Sequence, residues 1–298
     1  MVFLIKEFES CSLCPRNCRV NRNKGELGFC GGGNVAEISK IGLHFGEEPV
    51  ISGTKGSGTI FFSHCNLGCI YCQNFEISRA NSAGKKYTSE ELSEKMLNLM
   101  ESGAHNINLV TPTHYLPIIK KAVISAKEKG LNIPVVYNTS GFEHAHIIKG
   151  LKGVADIFLT DLKYYSPYYS KMYSNCEDYF DYSCEAVKAM VETVGSVKIG
   201  SDRMMKSGVI IRHLMLPSLK NDTAQVLRYI SENFGDNVLV SLMRQYTPVC
   251  KNIPTELCKE VSNEEYQFAE DLFCELGLDG FVQSEASVGD DKIPKWEI

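Results

Sequence analysis

Six short stretches of this chain are almost continuously apolar: Thr59 to Phe62, Asn106 to Val110, Pro134 to Tyr137, Ala155 to Leu159, Val209 to Leu214 and Val238 to Leu242. A strand with one wet face alternates polar and apolar positions. Runs of Val, Ile, Leu and Phe that scarcely alternate predict strands covered on both faces, and hence parallel pairing. Amphipathic stretches lie between them. Thr88 with Glu91, Asp222 with Gln225 and Ser262 with Glu265 have the spacing of capping boxes, and Gly130, Gly195 and Gly277 stand where helices should stop. In the first of these stretches Leu92, Met96, Leu99 and Met100 share one helical face, as a helix lying over a sheet requires. Repeated strand and helix units of this size predict an α/β barrel or part of one, with its chemistry at the C-terminal strand ends.

Polar residues fall at those ends without any need from folding. Thr111-Pro112-Thr113-His114 follows the second strand, Asn138-Thr139-Ser140-Gly141 the third, and Asp161-Leu162-Lys163 the fourth. The first strand runs into CNLGCIYCQN, which holds Cys65, Cys69 and Cys72 at C-x3-C-x2-C spacing. Three thiolates so placed can hold three corners of a [4Fe–4S] cube, whereas a complete site takes four and leaves no iron open. The competing reading is a zinc loop or chance clustering, but zinc knuckles use two cysteine pairs and a closed set of four ligands.

A second constellation precedes the barrel: Cys11, Cys14, Cys18 and Cys30, in a segment broken by Gly25, Gly28 and Gly31 to Gly33. Four soft ligands within twenty residues predict a metal site that either zinc or an auxiliary iron–sulfur cluster would satisfy; a metal-free thiol cluster is the third reading. A structural metal there would stabilise a small lobe with little core of its own. The expected organisation is therefore a cysteine-rich lobe and lead-in over 1–52 and the barrel over 53–298. The remaining cysteines, Cys176, Cys184, Cys250, Cys258 and Cys274, are dispersed, and most are expected as small core residues. The segment GTKGSGT, Gly53 to Thr59, lacks the Lys and Ser/Thr that a phosphate loop places after its last glycine, so nucleotide binding is not expected there. Five histidines, 44, 64, 105, 144 and 146, carry no assigned role; an i, i+2 pair such as His144 and His146 does not share a helical face.

The chain's 298 residues suit one large domain with a small appendage, and 44% hydrophobic with 22% charged residues is ordinary for a soluble globular protein. A formal net charge of −5 offers no general attraction to nucleic acid. No segment approaches the length of a membrane span and the N-terminus lacks the pattern of a signal peptide, so the expectation is a cytoplasmic protein whose cysteines serve metals.

The cysteine triplet on a strand-to-loop junction resembles the radical SAM superfamily. CSLCPRNC, GTIFFSHCNLGCIYCQN, NLVTPTH, YNTSGF, DLKYY and RHLMLP together resemble its pyruvate formate-lyase activating enzyme-like branch, in a subgroup with an N-terminal cysteine cluster. The resemblance implies a partial, six-stranded (β/α)6 TIM-type barrel and a [4Fe–4S] cluster on Cys65, Cys69 and Cys72, with S-adenosylmethionine chelated to the fourth iron. One-electron cleavage then yields a 5′-deoxyadenosyl radical that abstracts hydrogen. Tyr71 matches the aromatic position near the adenine. Thr111 and Thr113 stand where activating enzymes carry a Gly-Gly-Glu that receives the cofactor's amino group, a departure that leaves hydroxyls and carbonyls to do so. Asn138 and Ser140 match an Asp-Thr-Asn-Gly turn, with Asn138 replacing its acid. Asp161 and Lys163 match an Asp-x-Lys, the first near the ribose or a cation, the second near the cofactor carboxylate; a mutual ion pair is the alternative. Of Arg212 and His213, which point to opposite faces, the resemblance favours Arg212 in the barrel. Gln245 is expected near the cofactor.

The implied function is hydrogen abstraction from a protein or peptide, as in glycyl-radical activation, with a reducing donor such as flavodoxin or ferredoxin. A radical SAM oxidoreductase acting on a small metabolite is the alternative, and a non-catalytic iron–sulfur scaffold or electron-transfer protein the reading of another class.

Overall fold

The computed structural model describes residues 5–79, 84–284 and 296. Along the chain run β1 (Ala36–His44), α1 (Pro49–Ser52), β2 (Ser57–Phe62), α2 (Phe75–Ser78), β3 (Lys85–Tyr87), α3 (Ser89–Glu101), β4 (Ile107–Val110), α4 (Leu116–Glu128) and β5 (Val135–Thr139). They are followed by α5 (Ala145–Lys149), β6 (Ile157–Asp161), α6 (Pro167–Ser174), α7 (Tyr179–Val194), β7 (Lys198–Ile199), β8 (Met205–Leu214), α8 (Lys220–Asn233), β9 (Val238–Met243), α9 (Asn263–Glu275) and β10 (Gly280–Val282). All six expected strands are present, as β2, β4, β5, β6, β8 and β9, and they pair in that order, all parallel.

Four strands escape the sequence pattern: β7 pairs antiparallel with part of β8, and the other three extend the sheet at both ends. β10 adds a parallel strand beside β9, while β1 lies antiparallel on β2 and β3 antiparallel on β1. Ladders among the described residues leave the β10 end and the β3 end of the sheet unjoined, so the barrel is open along one side. The sheet thus begins at Ala36, inside the stretch expected as a lead-in, and the expected 1–52 and 53–298 bounds reach beyond the described residues.

Period-two alternation sorts the strand residues into two layers. Leu109, Tyr137, Phe158, Ile211, Val240 and Leu242 face outward into one core with the covering helices. Val136, Ile157, Leu159, Met205 and Ile210 face inward and pack with Ile51 of the short helix α1, sealing the floor of the barrel. Each side chain so buried contributes roughly 1.5–3 kcal/mol of burial free energy. A one-residue slip would exchange the layers, so the register is strongly specified.

The expected capping boxes at Thr88/Glu91 and Ser262/Glu265 are formed, each with both reciprocal hydrogen bonds. Asp222 differs. α8 starts earlier, at Lys220, and the Asp222 carboxylate accepts the amides of Tyr165 (3.0 Å) and Ser166 (2.8 Å). A buried carboxylate is better served by two fixed amides of a neighbouring loop than by its own helix, and here it ties the exit of β6 to α8. No helix among the described residues is long and apolar enough to cross a membrane.

Candidate active site

β2 is buried along its whole length and delivers the chain to a tight loop in which His64 and Gly68 take positive φ values of 74° and 73°. On that loop Cys65, Cys69 and Cys72 border a cavity of about 820 Å³ at the C-terminal end of the barrel. Each sulfur receives a donor: the Leu67 amide at 3.4 Å from Cys65, the Ser174 hydroxyl at 3.1 Å from Cys69 and the Ser78 hydroxyl at 3.6 Å from Cys72. Burial, reinforced by the other two sulfurs, pushes the Cys65 thiol up to about 12, and burial with Cys69 also raises Cys72. Such thiols ionise when a metal takes the proton's place. No three His, Cys, Asp or Glu side chains among the described residues converge as the ligands of one ion would. Three sulfurs set around an open volume suit the corners of a cluster instead.

The strand ends supply the other walls. Tyr71, Thr111, Asn138, Ser140, Asp161, Lys163, Arg212 and Gln245 all line the cavity. Thr111, a β-branched residue, is held at φ 58°, a costly conformation that re-aims the chain as it leaves β4. The Ser140 hydroxyl is buried with no partner, as expected of a group that awaits one. Lys163 and Asp161 form an ion pair of 2.5 Å; burial alone would depress the lysine, but Asp161, helped by Cys69 and Tyr179, holds its pKa above the ordinary value. The Tyr164 hydroxyl donates to Tyr71 at 2.7 Å and lies 2.8 Å from Ser174, which links the aromatic wall to the Cys69 sulfur.

Thr113 does not join this wall. Its hydroxyl donates at 2.5 Å to Glu143, which also accepts from Thr139 at 2.5 Å. Proline at 112 leads the chain into a 3-10 turn there, which buries Thr113 against Glu143 instead of placing it in the cavity wall. Arg212 faces inward and His213 outward, as alternation on β8 demands. His213 is buried, and hydrogen bonds join its Nδ1 to the Leu162 carbonyl (2.7 Å) and its Nε2 to the Thr223 hydroxyl (3.0 Å); burial lowers its pKa to about 4. Arg212 meets Glu47 and Glu48, which sequence reasoning missed because they lie on the loop before α1, far away in the chain. Burial opposes ionisation of Glu48, but the guanidinium beside it prevails and lowers its pKa.

The N-terminal cysteines form a separate nest. Cys11, Cys14, Cys18 and Cys30 surround a space of about 10 Å³, together with Arg22 and His114. The chain folds back on itself through Arg19 N to Cys11 O (2.8 Å) and Cys11 N to Val20 O (3.0 Å). Amides of Phe29 and Gly32 donate at 3.4 Å to the sulfurs of Cys18 and Cys30. A Cβ at Gly28 would stand 2.9 Å from the Cys18 sulfur, which accounts for the glycine. Burial raises the Cys14 and Cys30 thiols. Glu143, raised to about 7 by burial, lies close enough to Cys14 to push it further up, and its second carboxyl oxygen has no partner. His114 bonds the Ser63 carbonyl through Nε2 at 2.8 Å, which places the ring proton there and leaves a buried, unpartnered lone pair on Nδ1. That is the tautomer a metal-facing histidine adopts.

Of the dispersed cysteines, Cys176 and Cys184 are buried as expected. Cys258 and Cys274 are exposed, and the Cys250 thiol donates to the Cys72 carbonyl at 3.4 Å. His144 and His146 do come together, with ring centroids 5.1 Å apart, because His144 is the extended cap of α5 and not a residue within it.

Comparison with known proteins agrees with this geometry. The sequence model of the Radical SAM superfamily matches residues 59–207. The uncharacterized protein MJ0674 of Methanocaldococcus jannaschii is 32% identical over 286 residues, covering 91% of this chain and 76% of that protein. Uncharacterized protein MJ0808 of the same organism is 25% identical over 54% of this chain, which spans about half (51%) of that relative. Among solved structures, a radical SAM methyltransferase from Sphaerobacter thermophilus superposes with a TM-score of 0.51 at 16% identity, over 76% of this chain and 66% of that one, a likeness of fold alone. With a cysteine triplet on the first barrel strand's exit and a matching family model and relative, the chain belongs to the radical SAM superfamily, whose members are enzymes that bind a [4Fe–4S] cluster and S-adenosylmethionine.

Proposed function

We propose that the protein abstracts a hydrogen atom from a protein or peptide, as glycyl-radical activating enzymes do. The observation that carries this reading is the open side of the barrel. The cavity extends from the cysteine loop to His44 at the end of β1 and Phe45 after it on one side, and to Phe281 and Val282 of β10 on the other. A polypeptide loop can enter there without the barrel unfolding.

When bound on Cys65, Cys69 and Cys72, the cluster with S-adenosylmethionine supplies one-electron cleavage and a hydrogen-abstracting radical. The chain's own residues bind and orient. Lys163 presents an ammonium for the cofactor carboxylate, with Asp161 keeping it charged. Asn138 and the free Ser140 hydroxyl offer hydrogen bonds, Tyr71 an aromatic edge, and Thr111 and Gln245 further polar contacts. The arginine and two glutamates below them give the chamber a charged base above the apolar floor. We assign Cys11, Cys14, Cys18 and Cys30 to a second thiolate metal site, zinc or iron–sulfur, and the source of electrons to a small donor such as flavodoxin or ferredoxin.

The test is anaerobic reconstitution with a reductant, followed by measurement of 5′-deoxyadenosine. Formation stimulated by the protein fraction of a cell extract, with radical or modified residue on a polypeptide, supports the reading. Stimulation by the small-molecule fraction alone replaces it with a metabolite substrate, and no product from a fully reconstituted protein ends it.

A further inference from the structure

Arg16 lies between the second and third N-terminal cysteines, and while its backbone bonds the Cys14 sulfur, its guanidinium reaches out of that lobe. Its guanidinium donates to four backbone carbonyls on the far side: Nε to Asn66 at 3.1 Å, Nη2 to Leu67 at 3.0 Å and to Ser174 at 3.0 Å, and Nη1 to Asn175 at 2.6 Å. Asn66 and Leu67 are in the loop between Cys65 and Cys69. Ser174 ends α6 and donates its hydroxyl to the Cys69 sulfur. The guanidinium also lies 3.9 Å from the ring centre of Phe29, the neighbour of Cys30, and that ring abuts Gly68, where an added Cβ would come within 3.3 Å. One planar fork therefore joins the tetracysteine nest to both structures that hold Cys69. Only a guanidinium has the donors and the shape for it.

We propose that Arg16 is a positioning residue through which a metal on Cys11, Cys14, Cys18 and Cys30 sets the conformation of the Cys65–Cys69 loop and the reduction potential of the cluster it carries. This rests on the second metal site proposed above. The metal cross-links the segments on either side of Arg16 and holds Phe29 beneath it. Order in the nest thereby fixes the four carbonyls, and with them the hydrogen bond from Ser174 to Cys69. Hydrogen bonds to cluster sulfurs are among the factors that set the potential of an iron–sulfur centre.

The experiment compares wild type, Arg16→Ala, Arg16→Lys, Ser174→Ala and Cys14→Ser with Cys18→Ser, all reconstituted anaerobically. Zinc, iron and sulfide are counted, the reduced cluster's EPR spectrum is taken with and without S-adenosylmethionine, and its midpoint potential is titrated. A protein with Cys65, Cys69 and Cys72 all replaced by Ala isolates the N-terminal metal and tells zinc from iron–sulfur. Expected is a shift to more negative potential in Arg16→Ala and Ser174→Ala, with the N-terminal metal retained and the spectral response to S-adenosylmethionine diminished. Lysine, which keeps the charge but not the fork, should not restore the wild-type values. The double cysteine variant should lose the second metal and reproduce the shift. Wild-type spectrum and potential in Arg16→Ala, or in the double variant after loss of its metal, overturns the inference while sparing the metal site. A wild-type protein holding no metal beyond the first cluster overturns both.

Discussion

Cys65, Cys69 and Cys72 border a cavity of about 820 Å³, whereas Cys11, Cys14, Cys18 and Cys30 enclose about 10 Å³. The donors differ by one thiol, but the surroundings differ in kind. Around the open triplet stand groups that await a ligand, such as the unpartnered Ser140 hydroxyl and the Asp161–Lys163 pair. Around the closed quartet the space is filled by Arg22, His114 and the chain itself. Where three sulfurs face open space, a metal keeps a position for chemistry. Where four line one small space, the metal proposed there would be structural or serve as a relay.

The largest effect that separates the two belongs to the triplet. Replacing any one of Cys65, Cys69 or Cys72 by Ala should abolish 5′-deoxyadenosine formation, while the metal count of the N-terminal site stays at its wild-type value. Loss of both metals together would mean that the two sites do not fold independently, and the contrast drawn above would fail.

The base of the open chamber comes next. Arg212, Glu47 and Glu48 have side-chain exposures of only 13%, 7% and 5%. Arg212→Met strands two carboxylates, and breaking such a buried arrangement costs about 3–5 kcal/mol. Denaturant unfolding should show that loss, and Glu47→Gln with Glu48→Gln in the same chain should recover much of it.

Beside the closed site, Glu143 titrates near 7 instead of its ordinary 4.5, chiefly because it is buried. The folded protein then binds its proton more tightly than the unfolded chain does. Stability from this group is complete below about pH 4.5 and is lost as pH rises through 7, by on the order of 3 kcal/mol. Glu143→Gln should flatten that part of the stability profile in thermal unfolding from pH 4 to 8; an unchanged slope would remove Glu143 as its source.

The smallest effect sits after β6, in the wall of the open cavity. Lys163→Ala should weaken S-adenosylmethionine binding by about tenfold, worth ~1.4 kcal/mol, in equilibrium titration of the reconstituted protein. Thr113→Val, by contrast, should leave that affinity unchanged, since its hydroxyl is committed to Glu143.

Much of the scaffold was legible before any coordinates. The six apolar runs became the six adjacent parallel strands, since a strand buried on both faces has to be apolar throughout and can therefore be found by composition alone. β1 and β10 were not, because β1 mixes charged with apolar residues on a sheet margin and β10 is three residues long. Among candidate site residues, those directly after a strand were placed together by the barrel's topology. Thr113 was not, since three residues past the strand end the 3-10 turn has already changed its direction.

Sequence by itself determined the cysteine spacing, the parallel strands and the polar strand ends, because each is a local pattern that one element can carry. Tertiary structure alone decided which groups the cavity opposes. Glu47 and Glu48 reach Arg212 across more than a hundred and sixty residues, and Arg16 grips carbonyls from Asn66 to Asn175. Those contacts bind backbone carbonyls or buried charges, which carry no signature of their own in a linear chain; only the folded, curved sheet brings them within reach.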